Sequence, residues 1–293
     1  MKLGLKIDVD TLRGTQEGVP RLAEALEKHG AGGTFLFSLG PDHTGRAMRR
    51  VFRPGFFSKV SRTSVLEHYG MRTLLYGTLL PGPDIGRRCA AVMRAVRDAG
   101  FEVGVHCWDH VRWQDFVVRR DAVWTEREME RATRRFRQIF GGPPRTWGAA
   151  GWQLNRHAAW YEERHFAYAS DTRGSGPFRP LWDGVAIGCP QLPTTLPTLD
   201  ELIGLHEDVV QHLLSRTGNA DHVFTAHAEL EGGKLMPMFE ALLAGWKAQG
   251  YEIVALEALY RTLDLARLPR CEVVQGTVPG RSGTLAVQQE IRP

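Results

Sequence analysis

The stretch Phe101-Glu102-Val103-Gly104-Val105-His106-Cys107-Trp108-Asp109-His110 decides how the rest of the chain is interpreted. Its alternating apolar residues predict a strand that ends at His106, and a helical turn after that strand would bring His110 to the same side. Two histidines placed in this way can bind one metal ion, although two unrelated polar histidines fit the same spacing. A metal-dependent hydrolase also needs a third protein ligand, commonly a carboxylate, and an open position for water.

The carboxylate is expected where the first predicted strand ends, at Lys6-Ile7-Asp8-Val9-Asp10. Asp8 and Asp10 are two residues apart, so in an extended segment both side chains point to the same face. Two neighbouring carboxylates repel each other unless a cation lies between them. A solvated strand end that caps the next helix is the alternative interpretation.

Strand patterns and helix patterns alternate along the chain. A typical predicted helix begins at the capping box formed by Thr125 and Glu128 and ends before the glycines at 141 and 142. This alternation predicts an α/β fold with a parallel sheet, and seven or eight repeats favour a distorted (β/α)7–8 barrel over an open sheet. Strands are predicted at 3–8, 34–37, 101–106, 146–149, 166–170, 186–191, 222–227 and 252–255.

Three parts of the chain are distinguished. Residues 1–264 are expected to form the barrel domain, interrupted by an insertion at about 45–83, and residues 265–293 form a C-terminal extension that is expected to be a β-hairpin packed on the barrel. The chain has 293 residues, of which 43% are hydrophobic, so it can bury a large core. Its four cysteines are scattered and it has no signal-peptide pattern, so a cytoplasmic location is expected.

The insertion is basic and apolar. No acidic residue lies between His43 and Leu66, and the net charge of the whole chain is +4. A solvated charged loop is one alternative, but it would not explain the phenylalanines at 52, 56 and 57 among the arginines. Nucleic-acid binding is another, but it would not require so much apolar surface. The pattern therefore predicts peripheral association with an anionic membrane surface and no nucleic-acid partner. The predicted membrane-contacting residues are Arg49, Arg50, Phe52, Arg53, Phe56 and Phe57.

Several motifs together resemble one enzyme family, the polysaccharide deacetylases of the NodB-homology type. Within that family they resemble the deformylases of 4-deoxy-4-formamido-L-arabinose carried on undecaprenyl phosphate, which serve lipid A modification and polymyxin resistance. The resemblance covers nearly the whole chain. It is carried by Ile7-Asp8-Val9-Asp10-Thr11, Arg13-Gly14-Thr15, His106 to His110 with Trp113, Ala149 to Trp152, Ser170 to Gly174, Pro177 to Pro180, His227-Ala228-Glu229 and Val278 to Arg281.

The resemblance implies a role for each of the central polar residues. Asp10, His106 and His110 would bind a divalent ion, which the residue types do not distinguish among zinc, manganese, cobalt and nickel. Asp8 would be the general base and His227 the general acid, with Asp171 orienting His227. A backbone N–H in the turn from Ala150 to Trp152 would stabilise the oxyanion.

Further residues are expected to contact the substrate. Three arginines in loops after the motifs, Arg13, Arg173 and Arg179, are candidates for the substrate phosphate, with surface arginine as the alternative for each. Gly151 would allow close approach to the backbone. The tryptophans Trp108, Trp113 and Trp152 are candidates for sugar stacking, with packing over the metal site as the alternative.

The sequence also departs from the family pattern in two places. General deacetylases have adjacent aspartates where Val9 here separates two, and an arginine that braces the catalytic aspartate stands roughly where this chain has Gly148. The first departure leaves open whether Asp8 or Asp10 faces the metal, although Asp10 is preferred. The second departure leaves open which residue holds the catalytic aspartate in place of that arginine.

The function implied by the resemblance is a metal-dependent deformylase at the cytoplasmic face of the inner membrane. A deacetylase of another N-acylated, lipid-linked sugar is the alternative enzyme. A catalytically silent protein that binds lipid or nucleic acid through its basic face is the alternative from another class. Bound metal with turnover would exclude that third reading.

Overall fold

A parallel β-sheet forms the centre of the molecule. The computed structural model describes residues 1–47 and 71–290. Within these residues seven strands join the central sheet in the order β5-β4-β3-β2-β1-β8, with β9 also paired to β1. The strands are β1 (Lys2–Val9), β2 (Thr34–Ser38), β3 (Glu102–Cys107), β4 (Thr146–Trp147), β5 (Tyr168–Ala169), β8 (His222–His227) and β9 (Glu252–Val254).

The first strand, β1, lies in the middle of this sheet. It pairs in parallel with β2 and β8 and is buried without interruption from Leu3 to Val9. Continuous burial on both faces is typical of parallel sheets that are covered by helices. The carboxyl ends of β1, β2, β3 and β8 therefore meet at one end of the sheet.

An irregular segment, residues 190–196, connects the two sides of the sheet. The Leu192 N–H donates to Ala169 O over 2.8 Å, and the Thr195 N–H donates to Val223 O over 3.0 Å. The segment thus hydrogen-bonds β5 on one side and β8 on the other, but it is not a strand. The predicted parallel α/β sheet is confirmed, whereas regular strand pairing stops short of the predicted seven- or eight-stranded closed barrel.

Helices cover the outside of the sheet. The longest described helix, α7 (Ala122–Phe140), does not begin at the predicted capping box, because the Asp121 side chain accepts from the Trp124 N–H and starts the helix at Ala122. Its end is as predicted, with Gly141 in the left-handed region at φ 81°. The helices are α1 (Val19–Lys28), α2 (Thr44–Ala47), α3 (Met71–Leu75), α4 (Ile85–Arg88), α5 (Ala90–Asp98), α6 (His110–Phe116), α7 (Ala122–Phe140), α8 (Arg156–His165), α9 (Leu199–Leu202), α10 (Val209–Arg216), α11 (Met236–Ala248) and α12 (Leu256–Tyr260).

A second sheet contains the C-terminal strands. In it β10 pairs antiparallel with β11 and parallel with β6, and β6 pairs with β7. The loop after β5 binds this sheet, because the Arg173 N–H donates to Ala286 O and the Gln288 N–H donates to Arg173 O. The strands are β6 (Arg179–Trp182), β7 (Val185–Ala186), β10 (Arg270–Gly276) and β11 (Leu285–Glu290).

The predicted membrane contacts, Arg49, Arg50, Phe52, Arg53, Phe56 and Phe57, lie outside the described residues. Among the residues that are described, none of the helices combines the length and the apolar character needed to cross a bilayer.

Candidate metal centre

Three side chains from two strand ends converge on one point. Asp10 follows β1, His106 lies in β3, and His110 begins α6. The distance from Asp10 Oδ1 to His106 Nε2 is 3.2 Å, and that from Asp10 Oδ2 to His110 Nε2 is 3.3 Å. One potential ligand atom from each residue lies within 4.8 Å of the others. Among residues 1–47 and 71–290, this is the group of histidine, cysteine and carboxylate side chains that could hold a metal ion.

The donor atoms fit a first-row divalent ion. Ligands at about 2.0–2.1 Å from such an ion lie about 3.0–3.4 Å from each other, and each histidine Nε2 lies at such a distance from one of the Asp10 oxygens. The His106 Nδ1 donates to Gly148 O over 2.6 Å, and this leaves the Nε2 lone pair directed towards Asp10. The Asp10 Oδ1 is buried and has no hydrogen-bond partner among the described residues. The three residues therefore form a site suited to a cation.

The charges of the site are strongly coupled. Burial would raise the pKa of Asp10, but His110 and His106 hold it well below its usual range. Burial opposes protonation of His106, but Asp8 and Asp10 outweigh this effect and raise its pKa. Both shifts favour the ionised form of Asp10 next to a positively charged group.

Asp8 lies beside the triad and not in it. Its Oδ1 is 3.7 Å from His106 Nδ1, the ring nitrogen that faces away from Asp10. Its Oδ2 is 3.3 Å from Lys6 Nζ. The side chain is buried, and Oδ1 has no hydrogen-bond partner in the described part of the chain. Of the two aspartates, Asp10 is thus the one placed with both histidine Nε2 atoms.

Glu229 holds the backbone of Asp10 and Thr11 in position, a role that the sequence analysis missed. Its Oε1 accepts from the N–H groups of Asp10 and Thr11 and from the Thr11 hydroxyl, over 3.0, 2.8 and 2.8 Å. Burial and the neighbouring Asp10 raise the pKa of Glu229 well above its usual value. The only signal in the sequence was the position of Glu229 two residues after His227.

His227 ends β8 and pairs in register with Asp8 on the neighbouring strand. Its Nδ1 is buried and has no hydrogen-bond partner among the described residues. Its backbone N–H donates to Glu231 Oε2 over 2.7 Å, and burial raises the pKa of Glu231 from 4.5 to about 7. The ring also lies edge-on to Trp152, with centroids 6.1 Å apart.

In this structure Asp171 does not hydrogen-bond His227, the residue that it was predicted to orient. Its Oδ1 accepts from the Ala149 N–H over 2.6 Å, and its Oδ2 accepts from Gln191 Nε2 over 2.7 Å. Burial raises its pKa, while the Gln191 hydrogen bond and Lys6 oppose the rise. Asp171 therefore supports the turn from Ala149 to Trp152 instead.

This turn has an unusual backbone. Gly151 and Trp152 both have positive φ values, 62° and 53°, and for a bulky residue such as tryptophan this conformation is strained. A Cβ on Gly151 would lie 2.5 Å from Gln114 Nε2. Strained backbone that the surroundings hold in place is typical of functional sites.

Two predicted substrate contacts are instead buried behind the site. Arg173 forms a bidentate pair with Glu201, with distances of 2.6 and 3.2 Å, and its side chain is 8% exposed. Trp152 is 1% exposed, and the guanidinium groups of Arg173 and Arg281 lie 5.2 and 4.4 Å from the centre of its ring. In this structure neither Arg173 nor Trp152 is accessible to a sugar phosphate.

The remaining predicted substrate residues differ in exposure. Trp113 belongs to the core, being 1% exposed and donating to Gln153 O, so it does not stack on a sugar. Trp108 is partly exposed but is covered by Arg131, 4.5 Å from its ring. Arg179, which lies in β6 of the second sheet, donates to Leu265 O in the loop before β10. Arg13 is partly exposed, forms an ion pair with Glu17 over 2.9 Å, and lines a cavity of about 190 Å³ with Arg21, Glu229 and Lys234.

Known proteins resemble this chain in sequence and in fold. The family model described as polysaccharide deacetylase matches residues 7–166. The probable 4-deoxy-4-formamido-L-arabinose-phosphoundecaprenol deformylase ArnD of Shewanella sediminis (strain HAW-EB3) is 36% identical over 295 residues, which cover 98% of this chain and 94% of that protein.

The solved structures that share the fold include the following two. A putative polysaccharide deacetylase from Mycobacterium smegmatis superposes with a TM-score of 0.62 at 15% identity, over 94% of each chain. A family 4 acetyl xylan esterase from Clostridium thermocellum, solved with a cobalt ion, superposes with a TM-score of 0.50 at 11% identity, over 89% of this chain and 91% of that one.

These matches confirm the resemblance seen in the sequence motifs. The family model spans more than half of the chain, and the sequence relative spans nearly all of it. The chain belongs to the polysaccharide deacetylase family, in the branch that contains the probable 4-deoxy-4-formamido-L-arabinose-phosphoundecaprenol deformylases.

Proposed function

We propose that this protein is a metal-dependent hydrolase that removes the formyl group from 4-deoxy-4-formamido-L-arabinose carried on undecaprenyl phosphate. The observation that carries the proposal is the convergence of Asp10, His106 and His110 at strand ends, beside the buried carboxylate of Asp8. The substrate is proposed from the 36% identity to the Shewanella protein over nearly the whole chain.

Asp10, His106 and His110 would hold a divalent ion. When bound, the ion would acidify a water molecule and polarise the formyl carbonyl. The cobalt ion of the clostridial esterase supports a metal in this fold but does not choose among zinc, manganese, cobalt and nickel for this chain.

The protein's own residues would move the protons. Asp8 would accept the proton of the attacking water through Oδ1, which has no hydrogen-bond partner in the described residues. The water oxygen bonds to the formyl carbon, the C–N bond then breaks, and His227 supplies a proton to the leaving nitrogen. The products are formate and the free amine.

The strained turn would stabilise the oxyanion. The Trp152 N–H already donates to Ala149 O over 3.0 Å, so we assign the oxyanion contact to the N–H groups of Ala150 or Gly151. Because Asp171 accepts from the Ala149 N–H, it would keep this turn fixed during the reaction.

The sugar phosphate would lie near Arg13. This arginine lines the 190 Å³ cavity together with Arg21 and Lys234, and Glu229 separates the cavity from Asp10. The cavity therefore adjoins the residue that holds the Asp10 backbone, and its lining has three cationic side chains against the two carboxylates of Glu17 and Glu229, which favours an anionic group.

We further propose that the protein associates peripherally with the cytoplasmic face of the inner membrane, where its lipid-linked substrate would be located. The proposal rests on the basic and apolar sequence from Arg46 to Leu66, and on the exposure of Met71 and Leu79, which are 71% and 81% exposed. Flotation with anionic and neutral vesicles tests it. Phe56→Asp/Phe57→Asp should reduce binding to anionic vesicles, and unchanged binding would contradict the proposal.

A product assay tests the enzymatic proposal. Purified protein loaded with each of the four metals is given the lipid-linked formamido sugar or its acetamido analogue, and released acid and free amine are quantified. Release of formate with little acetate is expected. Preferential release of acetate would favour the alternative deacetylase, and no turnover with any metal would contradict both.

A further inference from the structure

Lys6 is a buried lysine in the centre of the sheet. It lies in β1 two residues before Asp8, so both side chains project from the same face of the strand. Its side chain is 0% exposed, and a lysine is almost never buried so completely unless it is paired. The contacts of its ammonium group therefore indicate why it is there.

The ammonium group is held between the base and the oxyanion turn. Lys6 Nζ is 3.3 Å from Asp8 Oδ2 and donates to Ser170 O over 2.9 Å. It also lies 5.1 Å from the centre of the Trp152 ring. These three contacts come from different strands or loops, so they fix the position of the charge in space.

Gly148 leaves the room that the lysine occupies. A Cβ at Gly148 would lie 3.2 Å from Lys6 Cε and 2.3 Å from Leu36 Cδ1. The Gly148 carbonyl meanwhile accepts from His106 Nδ1 over 2.6 Å. One glycine thus permits the lysine to reach Asp8 and also orients a candidate metal ligand.

The lysine engages only one side of the Asp8 carboxylate. It binds Oδ2, whereas Oδ1 is directed towards the His106 side of the site and has no hydrogen-bond partner among the described residues. Asp8 is 3% exposed, so solvent does little to screen the pair. A fixed cation on Oδ2 would hold the carboxylate in one orientation and leave Oδ1 available to accept a proton.

We infer that Lys6 is a positioning residue for the general base, which acts by fixing the carboxylate of Asp8 through the contact between Lys6 Nζ and Asp8 Oδ2. The inference rests on the proposed function, because it requires Asp8 to accept a proton. Lys6 itself touches neither the substrate nor the candidate metal ligands in this assignment.

A double-mutant cycle tests the inference. Lys6→Met, Asp8→Asn and the double variant are compared with the wild type by kcat for formate release, KM, metal content and melting temperature. Lys6→Met should lower kcat about 10- to 100-fold, a part of the 10²–10⁴-fold that a proton-transfer group contributes, with KM and metal content unchanged. In the Asp8→Asn background the same substitution should change kcat less than about 3-fold.

The outcomes separate positioning from a general structural role. Equal losses in both backgrounds, or a wild-type kcat for Lys6→Met, would overturn the inference. Lys6→Arg provides a second measurement if Lys6→Met does not fold. Since it keeps the positive charge, its kcat should stay within about 10-fold of wild type, and inactivity in a folded, metal-loaded Lys6→Arg protein would also count against the inference.

The failure of this inference is distinguishable from failure of the proposed function. If the wild type releases no formate, the proposed function is wrong. If the wild type is active but the two losses are additive, only the role of Lys6 is wrong.

Discussion

Replacing Arg173 by methionine should destabilise the fold and leave substrate affinity nearly unchanged. Arg173 pairs with Glu201 through two hydrogen bonds, 2.6 and 3.2 Å long, and the two side chains are 8% and 1% exposed. Breaking a buried ion pair by removing one partner costs about 3–5 kcal/mol, because the remaining charge is left uncompensated.

The second arginine near Glu201 sets the expected magnitude. Arg281 Nη1 is 3.3 Å from Glu201 Oε1 and would still compensate part of its charge. We therefore expect a loss at the lower end, about 3 kcal/mol, which corresponds to a decrease in melting temperature of about 5 °C for a chain of 293 residues.

Thermal unfolding followed by circular dichroism measures this effect. Arg13→Met is the matched control, because its pair with Glu17 is solvent-exposed and such pairs contribute about 0–1 kcal/mol. Adding Glu201→Gln to Arg173→Met should recover part of the stability. An Arg173→Met protein that melts like the wild type but has a greatly raised KM would refute this reasoning and restore Arg173 as a phosphate ligand.

Three further predictions concern the residues around the site. Asp8→Asn and His227→Ala should keep stoichiometric metal but lose about 10²–10⁴-fold in kcat, and near-wild-type rates in either would remove its proton-transfer role. The pKa of Glu231 is raised from 4.5 to about 7 in the folded state, so its contribution to stability is present below pH 4.5 and is lost as the pH rises through about 7. Glu231→Gln should make the melting temperature depend less on pH across this range, and the difference should be equivalent to at most about 3 kcal/mol. An unchanged pH dependence would contradict the raised pKa of Glu231. Gly148→Ala should cost about 1–3 kcal/mol in denaturant unfolding through its clash with Leu36, whereas Gly142→Ala, whose Cβ would meet nothing within 4 Å, should be close to neutral.

Local patterns were sufficient to find the centre of the site. Asp8, Asp10 and His106 follow or end apolar strands, and His110 is one helical turn further on, so spacing alone brings them to the same end of a parallel sheet. The family motifs then distinguished this arrangement from a chance spacing of polar residues.

Pairings over long sequence separations could not be predicted in the same way. Glu229 binds the backbone of Asp10 across 219 positions, and Arg173 is paired with Glu201 by the packing of a loop that has no periodic pattern. An arginine in a loop has the same sequence appearance whether it faces solvent or a buried carboxylate. Tertiary structure alone decides between these environments.

Two errors in the predicted fold have local causes. Thr125 with Glu128 and Asp121 are both acceptable starts for α7, and the helix takes the earlier one because the Asp121 side chain reaches the Trp124 N–H. Segment 190–196 hydrogen-bonds two strands but does not itself form a regular strand. This is because Pro190 and Pro193 lack the backbone N–H that regular strand pairing requires.

Metal content and formate release, measured on the same protein samples, test the central claim most directly. The wild type should contain about one divalent ion per chain and release formate from the lipid-linked sugar. His110→Ala should lose both, whereas replacement of an exposed histidine outside the site, His206→Ala, should keep both. Stoichiometric metal and full turnover in His110→Ala would contradict the assignment of Asp10, His106 and His110 as the metal centre of a deformylase.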